Sequence, residues 1–561
     1  MQLIHWKEWN AEAFIEAEKQ KKPILLSISA VWCHWCHVMD HTTYGDERVA
    51  KLINESFIPV RIDTDKRPEI NQRYNVGGWP TAAILTFKGN MVDATTYLPA
   101  NNMIGFLSSG LYTFESIGKQ FDEKFEEFYK QNKDLRKNSE ISFKEAINEI
   151  NQQAETSFDE EFGGFGFEPK FPIPELLQFL SSYYSFEKTP RTLKMLEKTL
   201  TILSRSGTYD SQEQGFFRYS TVRDWSVPHY EKMLEDNSQL IFIYLELFKK
   251  TGNDELKNAA LNALDYLFNK LFDKEFNVFF GSQDADEEYY KLSLSERKSL
   301  KEPFIDKTIF TDWNALMVPA LLNAYNITKE EKFKKIAFNN LQFILRKNFD
   351  GKNVFHYFDS EKDKSFQTSI LKDYALLLQA IINCYEFSFE QAYLEKAEKL
   401  LRIIEEKFFD SENNAYNDVA QSDDAFGILQ ERKFNPTDNA IMIQNLLKLA
   451  FFLEKEELRE KAIIVGETAL SAISELNIYV ASLVESLLLL ENGLTEIKIS
   501  GKKNEKTKEL LEKAMQYWNH STAINFIEAN HEPIISYCFK KSCLPPMKSF
   551  EELKKAMQTN K

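Results

Sequence analysis

The chain has 561 residues, a length that exceeds one ordinary domain and suggests about three to four. Apolar residues make up 43% and charged residues 27%, which is an ordinary globular balance. The formal net charge of −16 argues against binding to nucleic acid or to an anionic membrane, because both require a basic surface.

Targeting signals are not evident in the sequence. No apolar run reaches the roughly 18 residues of a membrane span, and the first residues lack the pattern of a signal peptide. The chain has 5 cysteines, and this small, odd number favours the reducing cytoplasm. We therefore expect a cytoplasmic protein without a membrane-spanning segment. No cofactor is predicted.

Residues 1–118 predict a small α/β domain. Their apolar periodicity alternates between the helical and the extended pattern, which is typical of such a domain. The predicted helices cover residues 8–20, 33–39 and 69–74, and the predicted strands cover 23–29, 56–63, 82–87 and 91–97.

A Cys-x-x-Cys pair opens the second predicted helix. A thiolate at a helix N-terminus is stabilised by exposed N–H groups and by the helix dipole. Cys33 is therefore the predicted nucleophile and Cys36 the resolving thiol. His34 lies between them and, when protonated, would stabilise the thiolate further.

Zinc binding is the alternative for this segment, since it is rich in ligand types. Zinc sites usually use two distant ligand pairs, and adjacent residues seldom reach one ion together. Thiol chemistry is therefore preferred and no metal site is predicted, although zinc stays open at this point. The ligands that zinc would require are drawn from Cys33, His34, Cys36, His37, Cys538 and Cys543.

The order and spacing of these landmarks resemble thioredoxin. The matching residues are Trp32, Cys33, Cys36, Asp63, Tyr74, Val76, Pro80, Thr81, Phe87, Lys88 and Gly89. The resemblance implies that the bond between Trp79 and Pro80 is cis and faces the cysteines. Thioredoxins carry a buried Asp where this chain has Ser27, so proton transfer would need another base, such as His37 or a water.

Residues 119–495 predict long amphipathic helices separated by breaks that resemble one another. Each of five breaks contains an aromatic residue followed by aspartate, at Asp159, Asp210, Asp273, Asp350 and Asp410. Such internal similarity predicts a repeat architecture, here an (α/α)6 barrel of six hairpins, with an open solenoid as the alternative. The predicted helices cover 143–156, 174–187, 191–205, 230–250, 254–271, 313–328, 330–347, 370–387, 391–408, 438–453, 455–474 and 478–491.

Motifs along most of the chain resemble one family, the largely uncharacterised proteins typified by spermatogenesis-associated protein 20. The resemblance implies a thioredoxin-like domain joined to a six-hairpin, glycosidase- or epimerase-like barrel. Residues 94–97 depart from the family pattern, at the edge of the groove beside the cysteines. The matching segments are 33–39, 77–80, 164–165, 169–172, 218–220, 227–233, 283–286, 313–314 and 373–375.

The long loops of the barrel are expected to gather on one face and to form a cleft. Sugar-processing barrels use convergent carboxylates as acid and base, or histidines for proton transfer. The candidate cleft residues are Glu168, Lys170, Arg218, His229, Glu231, Asp284, Asp286, Asp312, Trp313 and Asp373. Helix capping and surface ion pairing are the alternative explanations of the acidic ones.

An epimerase would need two facing histidines on the inner helices. Only His229 lies in a strong motif, whereas His356 lies in a junction loop and His520 and His531 lie beyond the barrel. The histidines therefore weaken the epimerase hypothesis.

Residues 496–561 predict a small α+β extension with a strand at 495–501, a helix at 506–517 and a strand at 521–527. Cys538 and Cys543 follow, and their spacing allows a disulfide, a metal site, a second dithiol or two surface thiols. Cys384 is predicted to be a small core residue.

The preferred hypothesis is a thiol–disulfide oxidoreductase joined to a barrel that binds or processes a carbohydrate-like ligand. Its expected partner is a disulfide-bearing protein or a small thiol, with no nucleic acid and no membrane. The alternatives are a sugar epimerase or glycoside hydrolase covered by the first domain, and a non-catalytic protein that binds a glycan or a peptide.

Overall fold

The computed structural model describes residues 3–131, 141–421 and 425–559. They form a thioredoxin-like α/β domain, a ring of helices and a small α+β extension, as the sequence predicted. Helix Ala100–Gln131 runs across the predicted boundary between the first two domains. None of the described helices has the length and apolar character needed to cross a membrane.

The first domain is built on a four-stranded sheet. Its strands are β1 (Ile24–Ser29), β2 (Ile58–Asp63), β3 (Thr81–Leu85) and β4 (Met91–Thr95), in the order β2-β1-β3-β4. β1 pairs parallel with β2 and antiparallel with β3, and it is buried on both faces, which explains its continuous apolar run. The helices are Ala11–Gln20, His34–Thr42, Glu47–Ser56, Pro68–Tyr74 and Ala100–Gln131.

Helix Glu47–Ser56 was missed by the sequence analysis. Its start carries a local signal, because the side chain of Asp46 accepts hydrogen bonds from the N–H groups of Arg48 and Val49. Aspartate is among the preferred N-cap residues for this reason.

Twelve helices of the second domain form two concentric rings. The inner helices are Pro174–Glu187, Leu234–Thr251, Thr311–Thr328, Leu371–Ser388, Pro436–Leu453 and Ala481–Asn492. The outer helices are Phe143–Ser157, Pro190–Leu203, Asp254–Tyr266, Glu331–Lys347, Gln391–Phe408 and Glu456–Ala472. Each inner helix packs against the next, and the last packs against the first, so the ring closes. Closure confirms the (α/α)6 barrel and excludes an open solenoid.

All long loops lie at the end of the barrel where the inner helices begin. At the opposite end, five inner helices terminate in a residue with positive φ and an outer helix follows almost immediately. These terminating residues are Lys188, Gly252, Lys329, Phe389 and Glu454. A left-handed residue ends a helix and redirects the chain within a short loop. We call the long-loop end the mouth of the barrel and the opposite end its base.

The repeated aspartates build five similar turns. Each accepts hydrogen bonds from the N–H groups two and three residues further on, as Asp210 does from Gln212 and Glu213. Flanking residues then pair antiparallel, as Tyr209 does with Phe216. Aspartate favours such turns because its side chain replaces a backbone acceptor. Three inner helices bind these turns through the side chains of Asn237, Asn314 and Asn439.

The loops at the mouth contain short elements of their own. They are Tyr219–Ser220, Pro228–His229, Lys232–Met233, Phe272–Asp273, Val278–Phe279, Ser282–Gln283, Ile305–Asp306, Ile309–Phe310, Phe355–Asp359, Lys364–Thr368, Phe409–Asp410 and Ala415–Tyr416 as strands, and Glu287–Tyr290 and Leu294–Arg297 as helices.

The extension covers the base of the barrel. Its central strand Thr495–Gly501 pairs parallel with Thr522–Glu528 and antiparallel with Ile534–Phe539. The strand Ile534–Phe539 was not predicted from the sequence. Tyr385, near the end of an inner helix, donates a hydrogen bond of 2.6 Å to Asn525. The remaining elements are Ser542–Cys543, Glu505–Ala514 and Phe550–Thr559.

Candidate active site between the first domain and the barrel

The Cys-x-x-Cys pair lies at the N-terminus of helix His34–Thr42. Cys33 is the N-cap residue, and the backbone N–H of Cys36 donates a hydrogen bond of 3.2 Å to Cys33 Sγ. The two residues form a disulfide, with their Cα atoms 5.2 Å apart. This is the position in which helix N–H groups stabilise a thiolate after reduction.

The surroundings of the pair match the expectations from thioredoxin. The bond between Trp79 and Pro80 is cis. The rings of Trp79 and Trp32 meet edge to face at 5.5 Å. Cys33 is only 5% exposed, whereas the predicted catalytic His34 is exposed.

A partly buried carboxyl group adjoins the site from the segment that follows β2. Asp65 Oδ2 accepts a hydrogen bond of 2.6 Å from Trp32 Nε1. Burial raises the pKa of Asp65 well above its usual range, and neighbouring Asp63 adds to this effect. Burial also raises the pKa of Asp63 to about 6. Ser27 in β1 is buried, and the acids with raised pKa values in this domain lie at the end of β2, at Asp63, and just after it, at Asp65.

His37 connects the cysteine helix to a barrel loop. Its Nε2 lies 3.0 Å from the carbonyl oxygen of Val31 and 3.4 Å from Asp284 Oδ2. The contact with Asp284 raises the pKa of His37, although partial burial opposes the shift. His37 thus favours its protonated form, which makes it a weaker candidate for the missing base.

The barrel covers the cysteine site. The Arg218 guanidinium carbon lies 4.3 Å from the ring centroid of Trp32 and 5.0 Å from that of Trp79. Both cysteines belong to the same apolar cluster as the inner helices. The thiol site therefore faces the barrel mouth rather than open solvent.

Acidic residues occupy the first turns of five inner helices. Negative charge is favoured there by the helix dipole. They are Glu175, Glu235, Asp236, Asp312, Asp373 and Asp438. Burial raises the pKa of Asp236 and that of Asp438 to about 7. We call these six residues the acidic ring.

Lys372 neutralises part of the acidic ring. Its Nζ lies 2.6 Å from Glu235 Oε1 and 3.3 Å from Asp312 Oδ2. These carboxylates raise the pKa of Lys372 well above its usual value, although burial opposes the shift.

His356 joins the acidic ring to the first domain. Its Nδ1 lies 2.9 and 3.0 Å from the two carboxyl oxygens of Asp373, and its Nε2 lies 2.7 Å from the carbonyl oxygen of Asp65. A carbonyl oxygen only accepts, so Nε2 carries a proton. Burial alone would lower the pKa of His356, but Asp373 raises it to about 10. His356 is thus an imidazolium with both nitrogens engaged.

Asp312, His356 and Asp373 have side chains of the types that bind metal ions. Asp312, His356 and Asp373 place one ligand atom each within 4.8 Å of one another. A ligating histidine needs an unprotonated nitrogen, and His356 has none free here. Together with Lys372 beside Asp312, these contacts describe an ion-pair network rather than a set of metal ligands.

Four of the predicted cleft residues have local structural roles. Lys170 is fully buried and pairs with Asp159 at 2.7 Å. Asp286 caps a short helix through a hydrogen bond of 2.9 Å from the N–H of Tyr289. Trp313 packs on Phe310 with ring centroids 4.4 Å apart. Glu168 is exposed and accepts a backbone hydrogen bond from a neighbouring loop.

His229 and Glu231 form a pair on the loop that carries Arg218. His229 Nδ1 lies 2.5 Å from Glu231 Oε2, and its ring stacks on Tyr219 at 4.9 Å. Tyr219 in turn stacks on Phe171 at 4.5 Å. Arg218 and Asp284 thus lie at the border between the domains, and the pair of His229 and Glu231 lies on the same loop as Arg218; a ligand-binding cleft there stays a prediction.

Several residues of the candidate site were not predicted from the sequence. They are Asp65, Glu235, Asp236, His356, Lys372 and Asp438. A local signal existed for Asp438, which opens the helix predicted at 438–453, but not for Asp65, Glu235 and Asp236, which do not lie at the start of a predicted helix. The role of His356 carried no such signal, since its partner Asp65 is 291 residues away in the chain.

Comparisons with known proteins agree with this architecture. Residues 1–140 match the family model described as "Thioredox_DsbH: Protein of unknown function, DUF255". Human spermatogenesis-associated protein 20 is 25% identical, over 91% of this chain and 81% of that protein. The predicted resemblance to the spermatogenesis-associated protein 20 family is confirmed.

Two further relatives match one domain each. The cellobiose 2-epimerase of Dictyoglomus turgidum is 22% identical over 57% of this chain and 76% of that protein. The thiol:disulfide interchange protein DsbD of Campylobacter jejuni (strain RM1221) is 27% identical over 16% of both chains. This chain therefore combines a thioredoxin-like domain with an (α/α)6 helical barrel.

Proposed function

We propose that the protein catalyses dithiol–disulfide exchange at Cys33 and Cys36. The observation that carries the proposal is the N–H of Cys36 bonded to Cys33 Sγ at a helix N-terminus. That position lowers the pKa of a thiol and makes it a nucleophile at neutral pH. The similarity to a thiol:disulfide interchange protein supports the same chemistry.

The exchange proceeds in two steps. In the reduced protein, the Cys33 thiolate attacks one sulfur of a substrate disulfide, and the substrate's S–S bond breaks as a mixed disulfide forms. The departing thiolate takes a proton from water. Cys36 then loses its proton and attacks Cys33 Sγ, which releases the second thiol and leaves the protein disulfide. Two electrons pass from the protein to the substrate.

Trapping the mixed disulfide tests this proposal. In Cys36→Ser the second step is blocked, so Cys33 should remain bound to its substrate and appear as a mass adduct that dithiothreitol removes. Cys33→Ser serves as the matched control and should give no adduct. If Cys33 in the folded Cys36→Ser variant reacts no faster with iodoacetamide than free cysteine at pH 7, the proposal fails.

A second candidate function is binding of a carbohydrate-like ligand at the acidic ring. It is supported by Asp236 Oδ2, a buried oxygen without a hydrogen-bond partner among the described residues, and by the similarity to a cellobiose 2-epimerase. Because both nitrogens of His356 are engaged, we propose binding rather than epimerisation for this arrangement of the domains.

Calorimetric titration with cellobiose tests this second candidate. Binding to the native protein should be weakened at least about tenfold in Asp236→Asn, since a charged hydrogen bond would be lost. Asp254→Asn is the matched control, because Asp254 begins an outer helix and its side chain is 72% exposed. Equal affinity in all three proteins, or no heat of binding, would count against the candidate.

A further inference from the structure

Arg218 brings a cation from the barrel into the cysteine site. Its guanidinium group lies over the faces of Trp32, which precedes the nucleophile, and Trp79, which precedes Pro80. Both indole rings lie within cation–π distance of the guanidinium group, which places its positive charge beside the cysteine site.

The guanidinium group has no anionic partner of its own. Within the part of the chain that the structure describes, it forms no hydrogen bond and no ion pair, and only the backbone N–H of Arg218 is bonded, to the carbonyl oxygen of Glu231. An arginine offers five donors in a planar fork that matches a carboxylate. Arg218 is thus positioned and charged, but unpaired.

The carboxylates on neighbouring loops are already paired. Glu231 lies 2.5 Å from His229, Asp284 lies 3.4 Å from His37, and Glu287 lies 2.9 Å from Lys291. The buried acids that Arg218 influences, Asp65 and Asp236, hold their protons more tightly than usual because they are desolvated. Arg218 therefore places a positive charge beside Trp32 without a carboxylate partner of its own among the described residues.

We propose that the substrate of Cys33 is a small disulfide that carries a carboxylate, and that Arg218 binds this carboxylate. The inference rests on the proposed dithiol–disulfide exchange and names its substrate class. A small molecule is favoured because Cys33 is 5% exposed and a barrel loop already occupies the indole faces beside it. A bidentate guanidinium–carboxylate contact would orient one sulfur toward Cys33.

Three disulfides that differ in charge test the proposal. Pre-reduced protein is oxidised by dithiodiglycolate, which is anionic, by hydroxyethyl disulfide, which is neutral, or by cystamine, which is cationic. Each single-turnover rate is divided by the rate of the same disulfide with dithiothreitol, to remove intrinsic reactivity. All proteins carry Cys538→Ser and Cys543→Ser, so that Cys33 and Cys36 are the reacting pair.

The expected result is a charge preference that depends on Arg218. The normalised rate with dithiodiglycolate should exceed that with hydroxyethyl disulfide, and Arg218→Gln should reduce this ratio about tenfold or more. Arg218→Lys should retain part of the preference, because it keeps the charge but loses the fork. Arg205→Gln is the matched control, because Arg205 pairs with Glu255 on the surface, and it should leave the ratio unchanged.

Different failures are distinguishable in this experiment. Equal normalised rates for the three disulfides in the wild type overturn the inference alone. An equal fall in the rate with all three disulfides in Arg218→Gln also overturns the inference, because Arg218 would then act only as a contact between the domains. If the substrate is instead a disulfide on a folded protein, Cys33 and Cys36 should be oxidised slowly by all three probes and rapidly by that protein, which also overturns the inference. Failure of every disulfide to oxidise Cys33 overturns the proposed function itself.

Discussion

At the mouth of the barrel, carboxylates lie in the first turns of the inner helices; at the base, Lys249 and Lys250 lie in the last turn of one of them. Both arrangements follow the helix dipole, which favours anions at the N-terminus and cations at the C-terminus. Burial perturbs both ends, since it lowers the pKa of Lys250 to about 8 and that of His520 to about 3. The two ends thus start from the same physical rule.

They differ in what satisfies the charges. At the base, Lys448 pairs with Glu386 at 2.7 Å, and Lys250 donates to Ser181 and Ser185, all within the inner helices. At the mouth, part of the pairing comes from another domain, since His356 donates to Asp65. The charged side chains at the base are therefore paired within the barrel and with the extension, since Glu386 Oε1 also accepts a hydrogen bond of 3.3 Å from the N–H of Ile524, whereas those at the mouth are bonded to the first domain as well.

Each end also has a cysteine pair. Cys538 and Cys543 face one another across a hairpin of the extension and form a disulfide, which is one of the alternatives that their spacing allowed. No helix begins there, so this pair lacks the N–H groups that favour a thiolate at Cys33. Position relative to a helix, rather than the presence of two cysteines, separates the proposed catalytic pair from the structural one.

The largest expected effect separates the two cysteine pairs. Cys33→Ser should reduce the rate of disulfide exchange to the background without protein, because the nucleophile is lost. Cys538→Ser should leave that rate within about twofold, as expected for a pair outside the site. Reduction of hydroxyethyl disulfide is the assay. Loss of activity in both variants would contradict the distinction.

A stability measurement tests the ion pair between Lys448 and Glu386 at the base. Glu386→Ala strands Lys448 in the interior and should lower the free energy of unfolding by about 3–5 kcal/mol. Urea denaturation at pH 7 measures this. Disulfide exchange at Cys33 should continue under native conditions, since the residues at the base do not contact Cys33 or Cys36. A decrease of less than about 1 kcal/mol in the free energy of unfolding would show that the pair of Lys448 and Glu386 does not stabilise the fold.

A pH titration tests the link at the mouth. The pKa of His356 is about 10 in the folded protein and ordinarily 6.5, so its stabilising effect is full below pH 6.5 and is lost as pH rises through 10. The difference in stability between wild type and His356→Gln should shrink by on the order of 3–4 kcal/mol over this window. A difference that does not change with pH would contradict an imidazolium at this position.

The unpartnered acid at the mouth should respond with the opposite sign. The pKa of Asp236 is about 7 when folded and ordinarily 3.8, so its ionisation costs stability as pH rises from 3.8 to 7. Asp236→Asn removes this cost and should stabilise the protein by on the order of 2–3 kcal/mol more at pH 8 than at pH 5. Urea midpoints at both pH values provide the check, and a destabilised variant at pH 8 would refute it.

The smallest effect is expected at the solvent edge of the interface. His37→Gln removes the contact with Asp284 and should cost less than about 1 kcal/mol, because His37 is 46% exposed on its side chain. Since Asp284 raises the pKa of His37, the cost should be present at pH 5 and absent at pH 9. Thermal unfolding at both pH values is sufficient. If His37→Gln loses more stability at pH 9 than at pH 5, the neutral form of His37 makes the contact with Asp284.

Local features of the sequence were enough to predict most of the fold. Apolar periodicity predicts the twelve barrel helices, β1 and the helix that begins beside Cys33. The repeated aspartates predict turns, because each side chain accepts hydrogen bonds from backbone N–H groups of its own turn. Such signals act over a few residues, where side-chain spacing and hydrogen bonding are dictated by the chain itself. The cis bond at Pro80 came from resemblance rather than from local chemistry.

The composition of the candidate site follows from tertiary packing. Closure of the inner ring, the placement of Arg218 over Trp32, and the bond from His356 to Asp65 all join residues that are far apart in the chain. Their pKa values depend on burial and on neighbours that no local pattern specifies. Local sequence patterns were sufficient to predict the nucleophile and the helical repeat. The packing of one domain on the other placed the nucleophile toward the barrel, with a cation beside it.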